Sequence, residues 1–445
     1  MNAPVRTLIV GAGPAGTAVL SAADKSGCLP DLVRAGLIMV EREDTIGSGL
    51  LGRYTINSDS TAETFLTAIS QSQIDAVRAL ESHSAVAAIA AHIGDLGVPL
   101  PKAGVFLELL GRHLIDFVSQ EGGTLLCGHE VLFVQQMTGG LWRAHVRNRA
   151  NNSESDIIVQ SIVLATGGHQ PAELIENQTV AGVAINERYG EKLVASDVFL
   201  AEGGLPLVRE RLLKIEAPRI AVIGGSTSAV AALNKLLRVD AGIDLAPGAL
   251  TLLHRRPLRP FYHSIEAAHA EGYTDFGPED ICPVSGFVYR LGGFRLEARA
   301  LVIRTLRIGG ATPDPRLRLH QITGDIDAEA IAVLDAADVV IPALGYRPRA
   351  IALRDYHGKP LAIAAELAHQ PPMVDGACRI IGADGAPIPG LYGIGLAAGF
   401  VPHGPLGGEP SFRGQANGLW LWQNGVGQLI VDQLLAGDQQ ARAVA

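Results

Sequence analysis

The glycines near the start of the chain have the types and spacing of a turn that binds the phosphates of a dinucleotide. Residues 7–10 form a short apolar strand before this turn, and residues 17–25 have the pattern of a helix after it. In that context the first glycine permits a tight turn, the second lets a pyrophosphate approach the backbone, and the third lets helix and strand pack closely. The helix N-terminus adds unpaired N–H groups and partial positive charge. The predicted cofactor contacts at this turn are Gly11, Gly13, Pro14, Ala15 and Gly16.

An acidic residue stands at the end of the next predicted strand. Residues 37–40 are apolar, and Glu41 follows them, 25 positions after Gly16. A carboxylate at this place can accept hydrogen bonds from the hydroxyls of a ribose. We therefore predict that Glu41 and the adjacent Arg42 hold the nucleoside of the first cofactor. The alternative is that the segment is only a glycine-rich turn.

A second strand, turn and helix follow at residues 220–237. This turn departs from the first because Ser226 stands where the second glycine usually lies. Its hydroxyl can bond to a phosphate, although its side chain crowds the closest approach of the backbone. We expect a second dinucleotide site here, with an ordinary turn as the alternative. Its predicted contacts are Gly224, Gly225, Ser226, Thr227 and Ser228.

The strand after this second turn ends in basic residues instead of an acidic one. Residues 250–253 are apolar, and Arg255 and Arg256 follow shortly after them. Two guanidinium groups suit the 2′-phosphate of NADPH, because they form charge-assisted bidentate bonds to phosphate oxygens. The sequence therefore predicts NADPH as the second cofactor, with a solvated basic turn as the alternative.

A strand in the middle of the chain ends in small residues that would let the backbone pass close to a bound cofactor. Residues 156–164 form this strand, and Thr166 and Gly167 follow it. An ordinary tight turn is the alternative. Val131, on a predicted strand at residues 131–135, is assigned to the first cofactor site as well.

Near the C-terminus, residues 390–395 form a strand that ends at Gly395, and a Gly- and Pro-rich loop follows. Ser411 is predicted to begin a long amphipathic helix that reaches about residue 435, with Trp420 and Trp422 as packing residues. The N-terminus of such a helix carries partial positive charge. Gly395 and Ser411 are therefore added to the predicted cofactor contacts.

Composition bounds the architecture and the partners. A chain of 445 residues with 48% hydrophobic residues is expected to form two domains, because one compact core does not grow to this size. The net charge of -9, with no basic stripe, argues against nucleic acid or an anionic membrane as a partner. No metal ion is expected. The sequence has no apolar run long enough to cross a bilayer and no signal peptide pattern, so a cytoplasmic location is expected.

Residues 61–120 are alanine-rich and predicted to be mainly helical, with a break near residues 94–104. We expect substrate contacts from variable loops and from this insert. Its apolar character also makes it a candidate interface for a homo-oligomer.

The arrangement resembles the flavoproteins that have two dinucleotide-binding domains. The resemblance covers nearly the whole chain and rests on GAGPAG with Glu41, on ATGG at 165–168, on GGSTSA at 224–229 and on ALGYRP at 343–348. It implies an α/β fold of two Rossmann-like domains, with the NAD(P)H domain inserted in the FAD domain, and it implies that the first cofactor is FAD. The expected boundaries are 1–175 and 346–445 for the FAD domain and 176–345 for the NAD(P)H domain.

Two branches of these flavoproteins differ in features that the sequence shows. The disulfide reductases need a closely spaced cysteine pair, whereas the four cysteines here stand singly. Those enzymes also have a Gly-Asp step on the C-terminal strand, where this chain has Gly395 and Leu396. Residues 47–58, GSGLLGRYTINS, resemble instead the flavin-contacting loop of the class B flavoprotein monooxygenases, especially the ornithine and lysine N-hydroxylases. This resemblance assigns Gly49 and Leu50 to the flavin.

The resemblance implies a reaction. NADPH would reduce FAD, and one oxygen atom would pass from a flavin C4a-hydroperoxide, formed with dioxygen, to a small nucleophilic substrate. The reaction most in keeping with it is N-hydroxylation of an amine or amino acid. Two alternatives remain open: an NADPH-dependent flavin reductase or oxidase without oxygen transfer, and a non-catalytic nucleotide-binding sensor.

The candidates for catalytic work are polar residues in two loops that are expected to lie near the flavin. Such an enzyme needs its amine neutral, so a local general base is expected. The alternative for the first loop is a helix cap and for the second an exposed loop. The candidate residues are Asn57, Ser58, Asp59 and His403, with Ser60, Glu409 and Ser411 as further polar neighbours.

Overall fold

The computed structural model describes residues 5–349, 351–366, 372–396, 398–414, 416 and 418–444, with side chains as far as residue 436. The strands of this part are β1 (Val5–Val10), β2 (Leu37–Val40), β3 (Thr124–Leu126), β4 (His129–Gln136), β5 (Trp142–Asn148), β6 (Glu154–Leu164), β7 (Gly168–His169), β8 (Thr179–Val180), β9 (Val183–Ala184), β10 (Ile220–Ile223), β11 (Leu250–His254), β12 (Leu317–Gln321), β13 (Val339–Pro342), β14 (Arg347–Pro348), β15 (Ala352–Arg354), β16 (Arg379–Ile381) and β17 (Pro387–Gly393).

The α-helices of the same part lie between and around these strands. They are α1 (Pro14–Lys25), α2 (Leu29–Arg34), α3 (Ala62–Ser70), α4 (Asp75–Arg78), α5 (Ser84–Ala90), α6 (Leu100–Gln120), α7 (Ala172–Glu176), α8 (Ile185–Tyr189), α9 (Ser196–Leu200), α10 (Gly204–Leu212), α11 (Thr227–Leu237), α12 (Ile265–Ala270), α13 (Leu296–Thr305), α14 (Ala328–Ala336), α15 (Leu419–Leu421) and α16 (Gly427–Val444). A π-helical turn at Trp422–Val426 joins the last two. Among the helices that the structure describes, none combines the length and the hydropathy of a membrane span.

The larger sheet has the strand order β15-β4-β5-β6-β1-β2-β3, and β17 joins the end of β6. Strands β3, β2, β1, β6 and β17 run parallel to one another, whereas β5 and β16 pair antiparallel with β6 and β17. Val10 pairs with Val40 on one side and with Leu164 on the other, so three strands end at one edge. Gly11, Glu41 and the turn after β6 therefore meet at the carboxyl edge of this sheet, where open α/β sheets bind their ligands.

The smaller sheet has the order β12-β11-β10-β13, and its strands are all parallel. Ile223 pairs with Leu253 and with Pro342, so the second turn and the basic residues after β11 also lie at one carboxyl edge. Hydrophobic clusters cover the two faces of this sheet, as expected for a parallel sheet packed between helices.

The chain runs from the larger sheet through the smaller one and returns to the larger one at β15. This order confirms the predicted fold class, two Rossmann-like units with the second inserted in the first. The exact domain boundaries remain predictions. The helical insert at residues 61–120 forms helices α3 to α6, although the interruption ends at Leu100, earlier than Gly104.

Two predicted helix starts differ from the structure. Helix α1 begins at Pro14, inside the glycine turn, because proline fits the first helical position, where no N–H is needed. The last helical segment begins at Leu419, so the prediction that Ser411 starts it is wrong. Gly414 and Gly418 lie between the two positions, and glycine is a poor helix former.

Helix α6 holds the loop after Glu41 in place through contacts between glycines. A Cβ on Gly104 would lie 2.5 Å from the Cα of Gly52, and one on Gly111 would lie 2.9 Å from the Cα of Gly47. Because any larger side chain would push the loop away, these glycines fix the distance between α6 and the loop. The insert thus supports the segment that resembles a flavin-contacting loop.

Candidate active site

The first glycine turn has the geometry that its sequence predicts. Gly11 has φ +101°, and a Cβ there would lie 2.4 Å from the carbonyl oxygen of Ala165. A Cβ on Gly16 would lie 1.9 Å from the oxygen of Gly11. Gly13 differs, because a Cβ there would meet nothing closer than the Cα of Gly49, at 3.5 Å. The first and third glycines are therefore required by the chain itself, whereas the second leaves room for a ligand.

Glu41 faces this turn from the end of β2. Its Oε2 accepts a hydrogen bond from the backbone N–H of Ala12 at 2.7 Å, and its Oε1 accepts one from the N–H of Glu43 at 3.0 Å. These bonds fix the carboxylate at the carboxyl edge of the sheet. A carboxylate offers about four acceptor positions, so two remain for ribose hydroxyls.

A cleft of about 440 Å³ opens between the turn, the loop after Glu41 and the end of β6. Most residues predicted to bind the first cofactor line it together. These are Gly11, Gly13, Pro14, Ala15, Glu41, Arg42, Gly49, Leu50, Val131, Thr166 and Gly167. Gly16 lies underneath the turn, and Gly395 approaches it so closely that a Cβ there would lie 2.9 Å from the Cβ of Ala15. The cleft therefore joins an open phosphate-binding turn to a carboxylate suited to ribose, and the residues present fit FAD.

The cleft also contains residues that the sequence did not indicate. The backbone of Arg349 is held next to the end of β6. Its backbone N–H donates to the carbonyl oxygen of Gly167 at 3.0 Å, and its carbonyl oxygen accepts a hydrogen bond from Oγ1 of Thr166 at 2.9 Å. Burial lowers the pKa of its guanidinium. A cation in this position can neutralise the diphosphate of a bound dinucleotide. Further lining residues that were not predicted include Arg53, Tyr54, His129, Leu396 and Trp422.

Tyr54 connects the cleft to the segment in which the chain returns from the smaller sheet to the larger one. Its hydroxyl lies 3.3 Å from the hydroxyl of Tyr346, and burial raises the pKa of both phenols. Both side chains therefore remain neutral hydrogen-bonding groups near neutral pH. Trp422, expected only to pack, is a cleft wall instead, because the π-helical turn begins at this residue.

The second glycine turn repeats the steric design of the first. Gly224 has φ +135°, and a Cβ there would lie 2.5 Å from the oxygen of Ala343. Gly225, Ser226 and Thr227 are exposed, and Ser226 caps helix α11. Ala343 follows β13 in the same way that Ala165 follows β6. The backbone at the end of a neighbouring strand therefore packs against each glycine turn. The serine side chain leaves the turn open to solvent.

Arg255 and Arg256 follow β11 at the carboxyl edge of the smaller sheet. Both are exposed, and in the described part of the chain neither forms an ion pair with a carboxylate. The turn is held by His254, whose Nδ1 lies 2.9 Å from the oxygen of Arg256. Burial lowers the pKa of His254, so the imidazole is neutral and the positive charge of the turn belongs to the arginines.

Asp59 is the predicted catalytic candidate that the structure brings closest to both units. It is exposed to solvent, yet burial is the main cause that raises the pKa of its carboxyl. Thr227, from the second glycine turn, hydrogen-bonds to it, and Arg295 lies near enough to oppose the rise of the pKa.

Two other predicted residues, Ser58 and His403, have contacts outside the flavin cleft. The hydroxyl of Ser58 donates to the oxygen of Ser60 at 2.6 Å and accepts from the N–H of Val98 at 3.1 Å, so it is a buried structural group. The ring of His403 packs where a Cβ on Gly376 would meet it at 2.4 Å, and it is not a wall of the flavin cleft.

The position of Ser411 also differs from its prediction as a cofactor contact. Its hydroxyl donates to Oδ1 of Asp280 at 2.6 Å and its N–H donates to the oxygen of Glu279 at 2.8 Å, outside the flavin cleft. Asn57 is half-buried and forms a backbone bridge to Pro99, and its catalytic role stays a prediction.

Glu409 fastens the C-terminal loop to the inserted unit. The residue is 4% exposed, and its carboxylate accepts hydrogen bonds from the N–H groups of Leu291 and Gly292 at 2.7 to 3.0 Å. A buried carboxylate bound by backbone N–H groups is satisfied without a cation. Glu409 therefore holds the backbone of Leu291 and Gly292 against the C-terminal loop.

Comparisons with known proteins agree with this geometry. No family model matches the chain. The CMP-5'-(3-aminopropyl)phosphonate hydroxylase of Streptomyces rubellomurinus is 31% identical over 437 residues, which is 97% of this chain and 98% of the relative.

Similar solved structures extend over nearly the whole chain. A cadaverine monooxygenase from Erwinia amylovora bound to FAD has a TM-score of 0.57 at 12% identity, with 98% of this chain and 95% of that chain covered. An ornithine N-hydroxylase from Kutzneria sp. 744, with reduced FAD and NADP+, has a TM-score of 0.53 at 17% identity, with 98% and 100% covered. An L-lysine 6-monooxygenase from Pseudomonas syringae has a TM-score of 0.54 at 14% identity, with 97% and 99% covered. These likenesses show the fold.

The near full-length identity to the hydroxylase shows the family. This chain belongs to the class B flavoprotein monooxygenases, the FAD- and NADPH-dependent oxidoreductases that include the amine N-hydroxylases.

Proposed function

We propose that this enzyme N-hydroxylates the primary amine of a nucleotide-linked aminoalkylphosphonate, with dioxygen as co-substrate. The observation that carries the proposal is the 31% identity, over 97% of the chain, to a hydroxylase that acts on CMP-5'-(3-aminopropyl)phosphonate. Bound FAD, reduced by NADPH, would supply the activated oxygen atom. The residues of the chain would bind the substrate, orient its amine and exclude water.

Asp59 is the group that we assign to the amine. A primary amine is protonated near neutral pH and is nucleophilic only after it loses a proton. The carboxylate of Asp59 would bind the ammonium ion and accept that proton, which leaves a neutral amine and a carboxylic acid. Burial raises the pKa of Asp59, so the transfer is less uphill than it would be to an exposed carboxylate.

Thr227 and Arg295 hold Asp59 for this task. The hydrogen bond from Thr227 ties the carboxyl group to the second glycine turn, where NADPH would bind. Both the hydrogen bond and the charge of Arg295 lower the pKa of Asp59, against the effect of burial. The carboxyl group therefore remains available in its charged form to a cationic substrate.

The proposal is tested with purified, FAD-loaded enzyme and a panel of amines. The panel contains the CMP conjugate of 3-aminopropylphosphonate, free 3-aminopropylphosphonate, L-ornithine and L-lysine. We expect the conjugate to give the highest kcat/KM for NADPH oxidation, with a product that carries one added oxygen atom on nitrogen by mass spectrometry. If all the consumed oxygen appears as hydrogen peroxide with the conjugate present, the proposal is wrong.

The role of Asp59 has its own test, the substitution Asp59→Asn, which keeps the shape and removes the charge. We expect kcat/KM for the amine to fall by about 10²-fold, the lower end of the range for general base catalysis. In the wild type, activity should fall as the pH drops through the raised pKa of Asp59, because the carboxylate is lost there. This acid limb should be absent from the variant.

Asp75→Asn serves as the matched control, because Asp75 lies on the helical insert with a side chain that is 94% exposed. It should behave as the wild type. An Asp59→Asn enzyme with unchanged kcat/KM and an unchanged acid limb would contradict the assignment, although the proposed substrate could still stand.

A further inference from the structure

The stretch of residues 257–295, between the basic turn after β11 and helix α13, forms a surface that the cofactor sites do not use. It contains α12 and is fastened to the C-terminal loop by Glu409 and by the bond from Ser411 to Asp280. Tyr262 and Val288 exchange backbone hydrogen bonds, so the stretch folds back on itself as a compact layer. This layer therefore has a fixed position beside Asp59 and the second glycine turn.

Three aromatic rings meet edge to face in this layer. The ring centroids of Phe261 and His263 are 4.7 Å apart, those of Phe261 and Phe287 are 5.5 Å apart, and those of His263 and Phe287 are 5.2 Å apart. Phe261 is buried, whereas His263 is exposed and Phe287 is half-buried. The buried ring supports two rings that solvent reaches. Faces of this kind stack with nucleobases.

Two arginines adjoin the rings. The guanidinium of Arg295 lies 4.2 Å from the ring centroid of Phe261 and donates to the backbone oxygen of Arg290. Burial lowers the pKa of Arg295, the charges of Asp59 and Glu409 oppose this shift, and the charge of Arg290 adds to it. Within the described residues, neither arginine forms an ion pair. Nη1 of Arg290 donates to Sγ of Cys282 at 3.3 Å, and the remaining donors of the two guanidinium groups suit phosphate oxygens.

These groups lie next to one another in a row. Thr227 contacts Asp59, Asp59 lies near Arg295, and Arg295 stacks on Phe261. A carboxylate is thus followed by guanidinium groups and then by aromatic faces. An aminoalkylphosphonate ester of a nucleotide has an ammonium group, then phosphorus-bound oxygens, then a base, in the same order.

We propose that Phe261, His263, Phe287, Arg290 and Arg295 form a subsite, the arginine–aromatic subsite, that binds the pyrimidine nucleotide part of the substrate. The base stacks on Phe287 and His263, and the phosphate oxygens accept hydrogen bonds from Arg295 and Arg290. This inference rests on the proposed function for its ligand class. It also explains why the reactive amine is held by a single carboxylate, since most of the binding contacts lie on the nucleotide.

The test measures binding of CMP and of cytidine to the FAD-loaded enzyme by calorimetry, without turnover. We expect the wild type to bind CMP more tightly than cytidine. Phe287→Ala should weaken both ligands by about tenfold, because one stacking face is lost. Arg295→Gln should weaken CMP by about tenfold and leave cytidine unchanged, because only the phosphate is affected.

Phe276→Ala is the matched control, since Phe276 stacks on His269 in the same layer but outside the subsite. It should bind CMP as the wild type does. The subsite is overturned if the wild type does not bind CMP, or if Phe287→Ala and Arg295→Gln both bind it unchanged. Failure of the proposed function looks different: CMP binds and the variants weaken it, but no hydroxylated conjugate forms.

Discussion

The substitution Gly13→Ala separates what the first turn does for the fold from what it does for the cofactor. The added methyl group would meet only the Cα of Gly49, at 3.5 Å, which is an ordinary van der Waals contact. Gly13 has φ -73° and ψ -166°, which alanine adopts without strain. The folded protein without cofactor should therefore be as stable as the wild type, or more stable by about 0.4–1 kcal/mol, because alanine reduces the entropy of the unfolded chain.

The cofactor should respond in the opposite direction. The methyl group occupies the space through which a pyrophosphate approaches the backbone, so at least one charge-assisted hydrogen bond is lost. Such a bond contributes about 1.5–3 kcal/mol, and about 1.4 kcal/mol is a factor of ten in affinity. We therefore expect FAD to bind about 10- to 100-fold more weakly.

The assay combines thermal unfolding of the protein stripped of FAD with a titration of FAD by fluorescence quenching. Gly16→Ala is the control, because its methyl group would lie 1.9 Å from the oxygen of Gly11 and must distort the turn. That variant should lose both stability and FAD. The reasoning is refuted if Gly13→Ala binds FAD like the wild type, or if it loses as much stability as Gly16→Ala.

Two further predictions concern the second unit. Replacing Arg255 and Arg256 by Ala should raise KM for NADPH far more than KM for NADH, by about 1.5–3 kcal/mol for each lost charge-assisted bond; equal effects in steady-state kinetics would contradict a 2′-phosphate contact. Lys235, 3% exposed, donates to Thr55 and has its pKa lowered by burial from 10.5 to about 8. The unfolded chain binds more protons between these values, so stability should rise with pH across that window by up to about 3 kcal/mol. Lys235→Met should lose this part of the slope in urea titrations, leaving that of Lys25, whose pKa is also lowered to about 8; an unchanged slope would show that Lys235 keeps its ordinary pKa.

The features that could be predicted from the sequence are those that the backbone decides locally. At Gly11 and Gly224 the backbone has positive φ and packs against the backbone of Ala165 or Ala343. Both constraints require glycine, so both turns can be recognised in the sequence. The residue after the following strand is equally local, so Glu41 and the pair Arg255 and Arg256 could be assigned to their edges. The inserted order of the two sheets is implied only by the resemblance to two-domain flavoproteins.

The features that could not be predicted depend on segments far apart in the chain. Arg349 reaches the cleft only because its backbone pairs with Gly167, which lies in another part of the sequence. The hydroxyl of Ser58 accepts a hydrogen bond from the N–H of Val98 in the helical insert. Sequence spacing cannot indicate this partner. The prediction that Ser411 starts a helix is wrong because its segment binds to Asp280 instead. In each case a tertiary contact decided the outcome.

Polar contacts join the inserted unit to the rest of the chain. The ammonium group of Lys235 on α11 donates to Oγ1 of Thr55 and to the oxygen of Phe199, both at 2.7 Å. Glu409 closes the other side through the backbone of Leu291 and Gly292. The glycine turns are assigned to dinucleotides, so under the proposed function the substrate would bind between these two contacts, beside Asp59. Residues 257–295 would then bind the nucleotide part of the substrate, so substitutions there should change which nucleotide conjugate is oxidised while the sites for FAD and NADPH keep their geometry.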